Sequence, residues 1–224
     1  APPKAAAPKA APAEAATEVM PAKSDRFQTE AEVEEIVKTK TTGGHKIGRK
    51  KAENTLNVEE ILGDLFEKTN DIYSCQNLGE ASDFILDLAM QTIPSEAGAV
   101  FIADINARDL GFSSARGPKA KEVLNFRVPM GQGIVGFSAQ EGVAVAVSDA
   151  HRDDRFYKTI SDKTGYLVKS VMCSPAQDSG RVLAALELVN KKGNSSFTAD
   201  EINVLNFLAH EFSQYLVNTG QTGD

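Results

Sequence analysis

The chain has no tryptophan, two cysteines and three histidines in 224 residues, and its 24 lysines and arginines are outnumbered by 31 aspartates and glutamates. Each shortage removes a class of function. Cys75 and Cys173 stand roughly a hundred positions apart, with no short ligand spacing around either. That argues against a disulfide framework or a zinc site and suits reduced thiols in a cytoplasm. His45, His151 and His210 fall in three separate segments, which leaves little for acid–base catalysis. His151 does sit beside Asp149, Asp153 and Asp154, but one histidine among turn-forming aspartates is a weak metal signal. A formal charge of -7 disfavours the whole domain as a nucleic-acid binder, because neutralising phosphates needs a basic face. No apolar run approaches the ~18 residues needed to span a bilayer, and the amino end is too rich in Ala, Pro and Lys for a secretory signal. A cytoplasmic protein is expected.

What is present begins with a segment that has almost nothing large to bury. Residues 1–28 are dominated by Ala, Pro, Lys and Glu, with five prolines in the first 21 positions. Such a stretch does not offset its ordering entropy and is expected to be a disordered linker to a neighbouring domain or partner. Residues 29–54 are expected to hold a short helix, opened by Thr29 with Glu32 three positions on, and then a flexible basic segment. That segment carries Lys38, Lys40, Lys46, Arg49, Lys50 and Lys51 around Gly43, Gly44 and Gly48. Clustered lysines attract phosphates, yet no interleaved aromatic supports stacking on bases and the glycines lack P-loop spacing.

From residue 57 the pattern becomes helical. Ile61, Leu62, Leu65, Phe66, Ile72 and Tyr73 recur at three and four residues, and Asn77 with Glu80 caps a second helix carrying Leu78, Ala81, Phe84, Ile85, Leu88 and Ala89. Strands are expected over 97–105, 110–116, 123–128, 143–147, 168–173 and 182–190, separated by turns suited to antiparallel neighbours. Thr198 with Glu201 then opens a last helix whose apolar stripe runs Ile202, Leu205, Leu208, Ala209, Phe212 and Leu216. A tail, 220–224, completes the chain.

Three segments between 126 and 201 carry the functional signal. The first is Phe126 to Gly136, with Gly131, Gly133 and Gly136 spaced as G-x-G-x-x-G. A dinucleotide fingerprint should follow the first strand of a parallel unit, whereas these glycines follow the third strand of a meander. The second is the loop through Asp149, Asp154, Arg155, Phe156, Thr164, Gly165 and Tyr166. The third is Glu187 to Lys191, followed by Phe197, Asp200 and Glu201.

That order resembles a GAF domain, the small-molecule-binding regulatory module of phosphodiesterases, adenylyl cyclases, phytochromes and bacterial signalling proteins, over residues about 55–219. The resemblance implies an α+β fold with a roughly six-stranded antiparallel sheet. The terminal helices would cover one face and lid helices and loops the other. It implies that the glycines open a helix under a pocket, with Ile134 and Val135 facing the ligand. Phe156 and Tyr157 would belong to the lid, Thr164 to the turn beyond it. Glu187, Ser113, Ser114 and Ala115 stand where a pocket wants polar groups. Lys191 and Asp200 match a pair that locks the strand end to the last helix in cyclic-nucleotide-binding members, although here two residues rather than three separate Phe197 from the Asp-Glu pair.

Ser161 and Val168 replace an acid and a threonine that a cyclic nucleotide would use, so such a ligand is compatible but not singled out. The lid has none of the cysteines that methionine sulfoxide reductases of this family or bilin attachment would need. No catalytic residue, metal or resident cofactor is expected. Two functions remain open: a small-molecule sensor, and a ligand-free interaction module that dimerises through helices 57–74 and 198–218. The space bounded by Ile134, Phe156, Tyr157, Thr164 and Glu187 separates them, being open for the first and filled for the second.

Overall fold

The structure is a computed structural model in which residues 58–193 and 196–221 are described. The expectations for 1–57 and for the end of the tail lie outside the described residues. The chain divides into two units, 1–53 and 54–224, and the fold is that of the second.

Alternation along one strand organises this unit. Strand β6 (Arg181–Lys191) turns Ala184, Leu186 and Leu188 to one side and Ala185, Glu187 and Val189 to the other. Both sides are covered, as its near-continuous apolar run demands. It pairs antiparallel with β1 (Ser95–Asp104) on one edge and β5 (Val171–Asp178) on the other. With β2 (Asp109–Arg116), β3 (Arg127–Pro129) and β4 (Val145–Val147) the order is β3-β2-β1-β6-β5-β4, and every neighbouring pair is antiparallel.

The first face carries three helices. These are α1 (Val58–Thr69), continued by a 3₁₀ turn over Asn70–Ser74, then α2 (Leu78–Thr92) and α6 (Ala199–Thr219). Their stripes meet Val100, Met172, Leu186 and Leu188 of the sheet through Ile72, Ile85, Leu205, Leu208 and Phe212. The capping predictions for α2 and α6 agree with the geometry: Asn77 accepts from the Glu80 N–H at 2.9 Å, and Thr198 with Glu201 forms a reciprocal capping box. Among the described residues no helix is long and apolar enough to cross a membrane. The second face receives the short elements α3 (Ala120–Val123), α4 (Gly133–Glu141) and α5 (Lys158–Thr164), with a 3₁₀ turn over Ala150–Arg152.

Two strand predictions need revision. The segment 123–128 is not one strand: Ala120–Val123 is a helical turn, and β3 pairs over only Arg127–Pro129, ending at a proline that has no N–H to donate. Strand β5 starts later and runs further than 168–173, continuing through Pro175. Pairing with β4 covers β5 only from Val171 to Cys173, so beyond Cys173 one side of β5 is an edge, where proline is tolerated.

The lock between β6 and α6 is also revised. The Lys191 ammonium pairs with Glu201, not Asp200, and the two side chains are only 10% and 7% exposed. Helix geometry is the reason. Glu201 is the third residue of α6, the capping-box position, and faces the strand end, while Asp200 one position earlier is rotated out to solvent. Removing one partner of a buried pair strands the other charge. Lys191→Met should therefore lower unfolding free energy by about 3 kcal/mol, with much of that recovered in Lys191→Met/Glu201→Gln. Asp200→Asn should stay within about 0.5 kcal/mol. Urea denaturation of the three variants would check this, and an equal loss in Asp200→Asn would return the lock to Asp200.

Candidate functional site

The second face of the sheet is incompletely filled, and the gap lies under the lid. Helix α4 opens beside it because its glycines permit close approaches. A Cβ on Gly136 would lie 2.6 Å from the Pro129 carbonyl oxygen, and one on Gly133, at φ +72°, would lie 3.0 Å from the Tyr157 Cβ. These contacts seat the turn against β3 and bring the lid onto the helix start. The glycine pattern is steric, and it presents Ile134 and Val135 to the gap.

The gap is a cavity of about 120 Å³, or about 860 Å³ of atom-free space when its mouth is included. The enclosed part alone is far more than one water occupies. Phe101, Phe112, Ala115, Val171, Glu187 and Val189 line it from the sheet, Ile134 and Val135 from α4, and Phe156, Tyr157, Ile160 and Thr164 from the lid. Arg116 and Lys119 border it, but both are ion-paired: Arg116 with Asp83 at 3.0 Å and Asp87 at 2.7 Å, Lys119 with Glu122 at 2.8 Å.

One side chain fastens the end of the lid. Asn190, at φ +57°, donates from Nδ2 to the Leu167 carbonyl at 2.9 Å, to Glu96 at 2.9 Å and to the Tyr166 hydroxyl at 3.1 Å. Its Oδ1 accepts from the Lys169 N–H at 2.7 Å. Asparagine suits this place because it tolerates the left-handed region and carries donors and an acceptor in one short plane.

Comparison with known proteins agrees with this architecture. The family model for the GAF domain matches residues 77–216, well over half of the chain. The chain belongs to the GAF domain family. Its relatives include the dual 3',5'-cyclic-AMP and -GMP phosphodiesterase 11A of Takifugu rubripes, 40% identical over 81 residues, a match taking in 35% of this chain and 9% of that protein. Another is the dual phosphodiesterase 11 of Drosophila melanogaster, 36% identical over 91 residues, 40% of this chain and 6% of that protein. The chain thus matches only a small part of these enzymes. Among solved structures, the GAF domain of a phosphoenolpyruvate-protein phosphotransferase from Coxiella burnetii superposes with a TM-score of 0.65 at 19% identity, over 76% of this chain and 99% of that one. GAF domains are in general regulatory and sensory modules rather than catalysts.

Seven of the nine pocket residues expected from sequence line the GAF cavity: Ala115, Ile134, Val135, Phe156, Tyr157, Thr164 and Glu187. Ser113 and Ser114 do not. The β1–β2 register slips between Val100 and Phe101, leaving Ser113 as an extra residue, and a bulge of this kind shifts the alternation by one. Both serines consequently turn to α2, where Ser113 meets Ser82 at 2.7 Å and Ser114 donates to Asp83 at 2.5 Å. His151 packs edge-on against Phe156, ring centroids 5.3 Å apart. Arg116, Lys119 and the Asn190 clasp were not foreseen as parts of the site. The Asn-Lys dipeptide was legible, but not which way each side chain faces.

Glu187 is the one carboxyl among the cavity-lining residues. Its exposed surface faces the cavity, and its sole hydrogen bond among the described residues is with the Cys173 thiol at 3.6 Å. Burial pushes its carboxyl up to about 7, the thiol contact opposing. Burial, then the neighbouring Glu187, pushes the Cys173 thiol well up as well, so this thiol is protonated and inert. Because the folded-state value for Glu187 lies above the ordinary 4.5, the folded protein binds the extra proton. The Glu187 contribution to stability is therefore lost as pH rises from about 4.5 to about 7 and level beyond. Glu187→Gln should remove that slope, making the variant gain about 2 kcal/mol on the parent between acidic and mildly alkaline pH, after discount for water in the cavity. Parallel stability curves for the two proteins across this window would contradict the buried, unpaired state of Glu187.

Proposed function

We propose that the domain is a non-catalytic sensory module that holds a small molecule in the lidded cavity and passes its presence to the terminal helices. The observation that carries this reading is the open cavity, apolar and aromatic over most of its wall, closed by a segment that one asparagine fastens. Flat guests gain ~1–3 kcal/mol per aromatic face they stack on. The names of the phosphodiesterase relatives put cyclic AMP and cyclic GMP among the compounds to try. The relay has a short physical route, since Asn190 holds the lid and Lys191, the next residue, holds α6. A guest that moves the lid biases the packing of α6, and that differential contact is what a conformational signal requires.

Thermal denaturation against cyclic AMP, cyclic GMP and a metabolite panel tests this. One compound should raise the melting temperature in a saturable way, by the equivalent of about 2.7 kcal/mol at a hundredfold excess over its Kd. Ile134→Trp, which fills the cavity, should lose the response. No shift with any compound, together with a stabilised Ile134→Trp protein, would mean a cavity without a guest.

A second reading, compatible with the first, is self-association through α1 and α6. Phe66 and Tyr73 are 60% and 50% exposed and Val217 43%, and Asn218 donates to the Tyr73 hydroxyl at 3.0 Å, joining the two elements. A second copy would cover this apolar surface. Sedimentation equilibrium should show a dimer that Phe66→Glu dissociates; a monomer for the parent at high concentration would reject it.

A further inference from the structure

We infer that the guest of this cavity is an organic cation, an amidinium, guanidinium or alkylammonium group on a flat apolar body, whose charge pairs with Glu187. The inference rests on the reading of the cavity as a guest site and adds the charge of the guest.

The case is one of unmet partners. The polar side chains bordering the cavity are already engaged, the Tyr157 hydroxyl apart. Arg116 is held by Asp83 and Asp87, and Lys119 by Glu122. Ser161 donates to the Tyr166 carbonyl at 2.7 Å and Thr164 to the Ile160 carbonyl at 2.8 Å. The Tyr166 hydroxyl lies between Glu96 and Asn190. Arg155, the lid cation on the Cys173 side, is spent on Asp153 at 2.6 Å. What is left is Glu187, whose carboxyl opens on the cavity with a weak thiol donor as its one partner.

A carboxyl in an apolar chamber is costly to ionise unless a cation joins it. The walls favour the same sign. Phe101, Phe112, Phe156 and Tyr157 present aromatic rings, whose faces attract cations through the ring quadrupole. An anionic guest would meet a like charge or force Glu187 to keep its proton, and would find no unpaired cation among the bordering side chains. A cationic guest favours the ionised carboxylate. Its binding therefore releases a proton from Glu187 wherever Glu187 is protonated beforehand, and weakens as pH falls.

Three probes of one shape separate the cases: benzamidine, charged throughout the range used, neutral benzamide and anionic benzoate. Calorimetric titration of the full chain at about pH 8 and about pH 5.5 should show benzamidine binding at least ~10-fold tighter than benzamide at the higher pH. It should lose more than ~10-fold in affinity at the lower pH, as a group titrating near 7 requires. Glu187→Gln should abolish that pH dependence and most of the benzamidine affinity, and change benzamide affinity far less. Benzamide or benzoate binding as tightly as benzamidine, or benzamidine binding indifferent to Glu187→Gln, would overturn the cation assignment and leave the guest site standing. If none of the three binds, the cation assignment falls, and the Ile134→Trp comparison alone decides whether the cavity has a guest.

Discussion

Coverage of β6 on both faces is the constraint that shapes everything around it. A strand reading Leu183, Ala184, Ala185, Leu186, Glu187, Leu188, Val189 has no face that water can wet without cost, so the chain must supply a layer on each side. The helical layer does so completely: Ile85, Leu205, Leu208 and Phe212 are without measurable exposure, and protein interiors of this kind tolerate no void as large as a side chain. The other layer is built from short pieces, three helices of four to nine residues joined by loops. Short pieces do not tile a twisted sheet, and the shortfall appears where Glu187 projects.

That asymmetry gives the two faces of the sheet different means of support. The interactions that resist unfolding, the long helices and the buried Lys191 pair with Glu201, lie on the filled side. The lid side depends on polar contacts at its margins: Asn190 to Leu167 and Lys169, Ser161 to the Tyr166 carbonyl, and Asp153 with Arg155. Each such contact contributes about 1 kcal/mol net, and local opening draws on segments held this way.

Sequence periodicity exposed the framework because long helices and apolar strands repeat themselves. The stripe from Ile202 to Leu216 and the N-caps at Asn77 and Thr198 needed no tertiary knowledge, since each signal is local. The misses share the opposite cause. Whether Ser113 and Ser114 face the cavity depends on a slip against Val100 and Phe101 in another strand, and a slip of one residue exchanges the faces. Whether Lys191 meets Asp200 or Glu201 depends on the rotation of α6 by one position about its axis. The Asn190 clasp depends on a left-handed φ that asparagine permits but does not announce. In each case the residue was legible and its direction was not.

The pairing of directions at the end of β6 has a mechanical consequence. Asn190 and Lys191 are consecutive, so the peptide that carries the lid's fastening also carries the attachment of α6; the left-handed φ of Asn190 interrupts the alternation set by Leu188 and Val189, so that Asn190 reaches the lid and Lys191 reaches α6. A displacement of the lid that strains the five hydrogen bonds of the Asn190 side chain acts on a backbone whose next side chain is anchored by a nearly dry ion pair. Removing one partner of such a pair costs several kcal/mol, so the end of β6 and the start of α6 are firmly joined. The end of the lid and the start of α6 are thus fixed to adjacent residues of one strand. A surface pair such as Lys119 with Glu122, 36% and 52% exposed, would join two elements far less firmly.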